Sequence, residues 1–223
     1  AGRDNAMRYA KLSTLALSSL TAAALAVMLA AGASARQTPT AAVYRLDAAR
    51  STFVVRAFAG GALWFKGHDH IVAARDFTGE ARLTPGAVSP ASLTLSVRAA
   101  SLAETREVFD EQQKRIIDGE LRDTVLEPDK YPEITFRSTD VTVEPAGGDL
   151  FRLKLGGDLT LRGVTRRVVI PVEVTLRGDE MRARGEFNLK RSDFKVPTAS
   201  AAHGTVRVRD RLKISFDIVA RRS

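Results

Sequence analysis

RLKISFDI, Arg211 to Ile218, alternates without a fault. Leu212, Ile214, Phe216 and Ile218 hold one phase. Arg211, Lys213, Ser215 and Asp217 hold the other. Successive side chains of a strand point to opposite faces, so this pattern describes a strand with one dry face and one wet face. The same rhythm runs back through the chain. Leu93, Leu95 and Val97 alternate with polar residues, as do Ile134 and Phe136. Phe151, Leu153, Leu155, Leu159 and Leu161 share one phase, and Val168, Ile170, Val172, Val174 and Leu176 repeat it. Met181, Ala183, Phe187 and Leu189 follow.

A parallel sheet is covered on both faces, and its strands read as unbroken apolar runs. The strict alternation therefore predicts antiparallel strands. Turn signals fall between them: TPGAVSP (Thr84 to Pro90), EPAGGD (Glu144 to Asp149) and RGDE (Arg177 to Glu180). Long strands joined by short turns form hairpins that close into a barrel or a sandwich.

One segment leaves the rhythm. SLAETREVFDEQQKRIIDGELRDTVL, Ser101 to Leu126, is rich in Glu, Gln, Arg and Lys. Phe109, Ile116, Leu121 and Val125 recur there at near-helical spacing. The pattern predicts a helix over Thr105 to Ile117, a second short turn after Gly119, and a stop at Pro128. Such a crossover either covers a barrel mouth or only shields sheet surface.

The N-terminal stretch reads differently. Arg8 and Lys11 precede a charge-free run from Leu12 to Ala31, and Ala33-Ser34-Ala35 has the small-residue spacing of a cleavage site. A basic start, an apolar stretch and a small-residue site describe a secretory signal peptide. The run is also long enough for an uncleaved membrane anchor. The expected division is residues 1–35 as leader with preceding residues, and 36–223 as a single domain, free in a periplasm or secreted. There is no cysteine, which excludes disulfides, thiol chemistry and a lipidated N-terminal cysteine. The net charge of +8 suits anionic lipid or nucleic acid. Single-strand binders set aromatics on a basic face. Here Arg182, Arg184, Arg207, Arg209 and Arg211 lie in the wet phase and the aromatics mostly in the dry one. That argues against nucleic acid and leaves two readings of the charge: a plain solvated surface, or weak contact with an anionic membrane surface.

Several phrases resemble the YceI-like family. YRLDAARSTFVV (Tyr44 to Val55) is similar to its opening strand pair, and DFTGEARL (Asp76 to Leu83) to its F-x-G strand. YPEITFRSTDV (Tyr131 to Val141) and GGDLTLRGVTRRVVIPVEV (Gly156 to Val174) resemble two further motifs in the same order. The resemblance implies an all-β, extended, antiparallel, lipocalin-like barrel of about eight strands with a short helical crossover. It also implies export, a polyisoprenoid chain in the lumen of some members, and no established catalytic residues. Many members carry a lone histidine where this chain reads FAGGALWFKGHDH.

The physical reading agrees with such a ligand. A lumen lined by Leu, Val, Ile and Phe cannot stabilise charge. Each methylene moved into it from water contributes about 0.8 kcal/mol. An amphiphilic lipid therefore binds by its chain, with the head group at the rim; no other cofactor is expected. Small dry-phase residues (Ala81, Gly157, Ala183, Gly185) favour room inside, against the alternative of a barrel filled by its own side chains. The candidate lumen or rim residues are Trp64, Phe65, Phe77, Leu95, Phe109, Phe136, Leu155 and Phe187, with His68 and His70.

His68 and His70 flank Asp69 and project to one side if the strand is extended there. Two such histidines chelate a metal when a third ligand arrives, and His203 is the remaining histidine. A metal-binding protein or metal-dependent enzyme on His68, His70 and His203 is thus the alternative to a lipid carrier. A rim or structural role for the pair competes with it. Ser192-Asp193 is a catalytic candidate by composition only.

Overall fold

The Arg211–Ile218 phrase lies inside the longest strand, β12 (Val206–Arg222). The other strands are β1 (Ala42–Leu46), β2 (Thr52–Gly60), β3 (His70–Ala74), β4 (Phe77–Leu83), β5 (Ala91–Arg98) and β6 (Leu102–Glu104). After the crossover come β7 (Glu133–Pro145), β8 (Leu150–Leu161), β9 (Val164–Arg177), β10 (Glu180–Lys190) and the two-residue β11 (Ser200–Ala201). The structure is a computed structural model and describes residues 41–62, 67–84, 91–198, 200–201 and 206–223. The expected leader, Trp64, Phe65 and His203 lie outside the described residues. Among the described residues no helix is long and apolar enough to cross a membrane.

Every pairing is antiparallel, as the alternation requires. Eight strands run in the order β1-β4-β5-β7-β8-β9-β10-β12, and β12 returns to β1. The closing contact is short: Tyr44↔Arg222, Arg45↔Arg221 and Leu46↔Ala220. The rest of β12 turns away from β1. From Asp217 back to Arg207 it pairs with β2, with an irregularity between Val208 and Leu212. β2 then carries β3, and β3 carries β6. A three-strand leaf thus branches off the barrel wall. One strand of 17 residues serves both sheets because it is long enough to outrun its five-residue partner β1.

The dry phase becomes the barrel interior. Tyr44, Leu153, Leu155, Leu161, Ile170, Val172, Val174 and Met181 are buried in one cluster with Ala220. The hairpin between β8 and β9 turns on Arg162 and Gly163, with φ of 49° and 70°. Positive φ at both central residues is the tight turn whose twist matches a hairpin. Arg162 then reaches back: its guanidinium donates to the carbonyls of Thr124 and Val125 at 2.8 and 2.6 Å and pairs with Glu127.

Those carbonyls belong to the crossover, where the structure corrects the sequence reading. The helix, α1, spans Glu111–Glu120 and continues as a π-helical segment, Leu121–Leu126, without a break at Gly119. Residues Thr105 to Asp110 are not helical. The start is set by Asp110. Its carboxylate accepts from the Gln113 N–H while the Gln113 side chain accepts from the Asp110 N–H, a reciprocal capping box. The end is set by Glu127 in the left-handed region (φ 47°), directly before Pro128. Ile116 does not face the core; it is 66% exposed. The wider turn of the π segment is what docks, with Leu126 buried and Leu121 and Val125 packed against the barrel cluster.

Candidate functional site: the barrel lumen

Side chains of β1, β2, β4, β5, β7–β10 and β12 surround a cavity of about 100 Å³. Leu95 (β5), Phe136 (β7), Leu155 (β8) and Phe187 (β10) line it, so four of the sequence candidates meet there. Their neighbours include Phe53, Leu93, Leu153, Val172, Met181 and Phe216, which the candidate set omitted. The alternation already marked Leu93, Leu153, Val172, Met181 and Phe216 as dry. Which dry residues meet across the tube depends on register. Among the described residues, Arg82 and Ser92 are the only lining residues with polar side chains; both are exposed, and they pair with each other in the wet phase of β4 and β5. The inward-facing lining is therefore alkyl and aromatic.

Two glycines shape that lining. A Cβ built on Gly185 would lie 2.6 Å from Cζ of Phe216, its partner on β12. A Cβ on Gly157 would lie 2.6 Å from Cζ of Phe136. Each ring folds down over a neighbouring glycine and lies along the wall, where any side chain would force it into the tube. Phe53 stacks on Phe216 from the next strand, with centroids 6.4 Å apart and planes 13° from parallel. On β10 the inward residues Ala183, Gly185, Phe187 and Leu189 are only partly buried. A barrel packed solid would bury all of them, so open space reaches this side of the lumen. The volume is nonetheless small. An engineered apolar cavity of about 150 Å³ takes a benzene-sized guest, so a long chain needs Phe53, Phe187 or Phe216 to swing, or the wall to part.

The remaining candidates lie elsewhere. Phe77 is buried with Ala74 and Val97 in a second, smaller cluster. His68, His70 and Phe109 form their own group beside α1. The Phe109 ring stacks on His70 (5.4 Å, 11°) and meets His68 edge-on (5.5 Å, 72°). Both imidazoles do face one side, and Phe109 occupies that side.

His70 also contacts Glu104 on β6: its Nδ1 lies 2.9 Å from Oε2. The Glu104 side chain is fully buried. Its Oε1 accepts from the N–H groups of Ile71, Thr105 and Arg106 at 3.1, 2.9 and 2.9 Å. A buried carboxylate persists when such partners replace its water, so this cluster is a structural clasp between β3, β6 and the loop into α1. Among the described residues no three or more His, Asp and Glu side chains come together as a metal site. The Glu104 acceptor was invisible in sequence because it lies 34 residues from His70. Ser192 donates its hydroxyl to Asp210 at 2.8 Å, and its N–H donates to the same carboxylate at 2.9 Å. That is a turn cap, with the serine donating rather than being deprotonated.

The outer face carries an alternating row of charge. Register places Glu144, Arg152, Glu173, Arg184 and Asp217 side by side across five strands. Arg152 contacts Glu173 at 3.3 Å, and Arg184 contacts Asp217 at 3.0 Å. Hydrogen bonds from Arg182 and Arg184 hold the Asp217 carboxyl below the ordinary range, against the opposing effect of burial.

A model of the YceI-like domain matches residues 44–220, the whole barrel. The chain belongs to the YceI-like family. Protein YceI of Shigella flexneri is 37% identical over 81 residues, which cover 33% of this chain and 39% of that protein. The matched stretch thus spans well under half of that relative. Three solved structures share the fold. BcnA of Burkholderia cenocepacia superposes with a TM-score of 0.60 at 23% identity, covering 78% of this chain and 98% of that one. A polyisoprenoid binding domain from Saccharophagus degradans gives 0.58 at 14% identity, covering 81% and 98%. The Campylobacter jejuni YCEI protein gives 0.52 at 19% identity, covering 68% and 84%. At these identities the likeness is one of fold. The YceI-like barrel is thus the frame that holds the alkyl lumen described above.

Proposed function

We propose that this YceI-like protein is an exported lipid-binding protein, not an enzyme, that holds the hydrocarbon chain of a polyisoprenoid or similar amphiphile in its lumen. The observation that carries this reading is the chemistry of the inner wall, which among the described residues faces the tube with no polar side chain. Such a surface offers nothing to an ion or a sugar and a favourable transfer free energy to each methylene. Membership of the family and the fold likeness to a polyisoprenoid binding domain support it. Export is part of the proposal and rests on the leader-like residues 1–35. Weak attraction to anionic membrane surfaces, through the net charge of +6 that residues 36–223 keep, would bring the protein to its ligand.

The test is native mass spectrometry of protein purified without detergent, followed by organic extraction and identification of the released lipid. A stoichiometric prenyl-chain adduct is expected, on a polypeptide beginning near Arg36. Repeated recovery of bare protein that binds no prenyl lipid would refute the carrier reading. The small cavity volume favours a second reading in that case: a filled barrel whose outer surface binds a protein partner.

A further inference from the structure

The barrel wall has a seam. Both β9 and β10 are long, yet their ladder runs only from Glu180↔Arg177 to Arg184↔Glu173. Past that point β9 stays paired with β8 down to Val164, and β10 stays paired with β12 down to Lys190. The facing edges, 164–172 and 185–190, share no ladder pairs. The sequence supplies a cause. Continuing the register would set Pro171 opposite Glu186. The Pro171 carbonyl oxygen faces β10, since a Cβ built on Gly185 would collide with it. In a strand the N–H and C=O of one residue point the same way, so the donor that proline lacks is the one β10 would need. Gly185 lets the two backbones touch there. The seam is thus held shut by contact, with no ladder hydrogen bonds across it.

Outside the seam lies a groove of about 500 Å³, walled by Lys154, Glu173, Arg184 and Glu186. Its floor includes Leu153, Val172 and Phe216, and all three also line the lumen cavity. One layer of residues therefore separates groove from lumen. Val169, two residues from Pro171 in the same outward phase, is 59% exposed where its neighbours Arg167 and Glu173 are charged. The seam is bounded at one end by the Arg184↔Glu173 pair and at the other by the turn at Arg191–Phe194, which Arg166 ties to β9 through the Asp193 carbonyl. Phe194 is buried beneath that turn.

We propose that the hydrocarbon chain enters and leaves the lumen sideways, through the β9–β10 seam, and not along the barrel axis. This rests on the lumen being the lipid site. Parting the seam exposes the wall at Phe216, the ring that restricts the lumen, and supplies width that 100 Å³ lacks. The chain has no cysteine, so a staple can be placed cleanly. The double variant Pro171→Cys/Glu186→Cys, oxidised, should slow uptake of a dansyl-labelled farnesyl chain at least ten-fold, and reduction should restore it. A control staple, Arg182→Cys/Thr175→Cys, lies within the existing ladder and should leave uptake unchanged. Should the seam pair fail to fold or to cross-link, Pro171→Val decides. It restores the missing donor, and uptake should slow several-fold. Equal uptake by the oxidised and reduced seam pair, or by Pro171→Val and the unmodified protein, overturns the sideways route alone. Failure of the unmodified protein to take up the probe at all overturns the lumen reading and this route with it.

Discussion

Glu104 shows how one side chain commits several strands. Its two oxygens collect three backbone N–H groups and one imidazole nitrogen inside the protein. Removing it takes the carboxylate from the Ile71 and Arg106 N–H groups and from His70, while the Thr105 N–H keeps the Ile71 carbonyl at 2.9 Å. Glu104→Ala should therefore cost about 3 kcal/mol or more in urea unfolding, and His70→Ala, which removes one half-buried partner, only about 1 kcal/mol. A value near zero for Glu104→Ala would mean that water replaces the carboxylate, and the clasp would not be structural.

Acid sensitivity belongs to the same scale. Asp140, Glu180, Asp210 and Asp217 all titrate below their ordinary values: through Thr139 and Arg167, through Arg50, through the hydroxyl and N–H of Ser192, and through Arg182 and Arg184. A carboxyl whose folded value is depressed stabilises the fold fully above its unfolded value and loses that contribution as pH falls through the folded one. Their joint contribution should be flat from pH 7 to about pH 5 and fall away below about pH 4. Denaturant midpoints measured across that window check it. Asp217→Asn should flatten part of the fall.

At the scale of elements, the crossover is two pieces with different jobs. α1 has no buried residue, so it is held by its cap, by its continuation into the π segment and by Asp118, whose carboxylate accepts from the Glu104 N–H on β6 at 2.8 Å. The π segment is held by Leu126 and by Arg162. Asp110→Ala should remove the capping box at a cost of about 1 kcal/mol, read as roughly five-fold faster amide exchange in the first turn of α1. The barrel amides should not change. If they did, the helix and barrel would unfold as one unit. The helical spacing of Phe109, Ile116, Leu121 and Val125 was legible but misleading. Phe109 precedes the cap and packs on histidines, and Ile116 faces out. The D-x-x-Q capping signal at Asp110 was the better guide to the start.

For the whole molecule, binding in the lumen is linked to stability. A ligand that binds only the folded barrel adds about 2.7 kcal/mol at a hundred-fold excess over Kd, a rise of roughly 5–10 °C in Tm for a domain of this size. A prenyl lipid should give that rise in differential scanning calorimetry, and a sugar of equal mass should not. A prenyl lipid without effect would separate this chain from a carrier role.

The alternation alone determined antiparallel strands, their dry phase and so the apolar inner wall, because a period of two has one geometric meaning. Together with the motif order it pointed to the eight-strand closure. What only the tertiary structure decided depends on which strands meet and for how long. The β12 branch, the Glu104–His70 clasp, the rings lying on Gly157 and Gly185, and the β9–β10 seam all join residues far apart in the chain. Local periodicity carries the face a side chain points to; it carries nothing about the partner across the gap, and here the partners set both the shape of the lumen and its weakest wall.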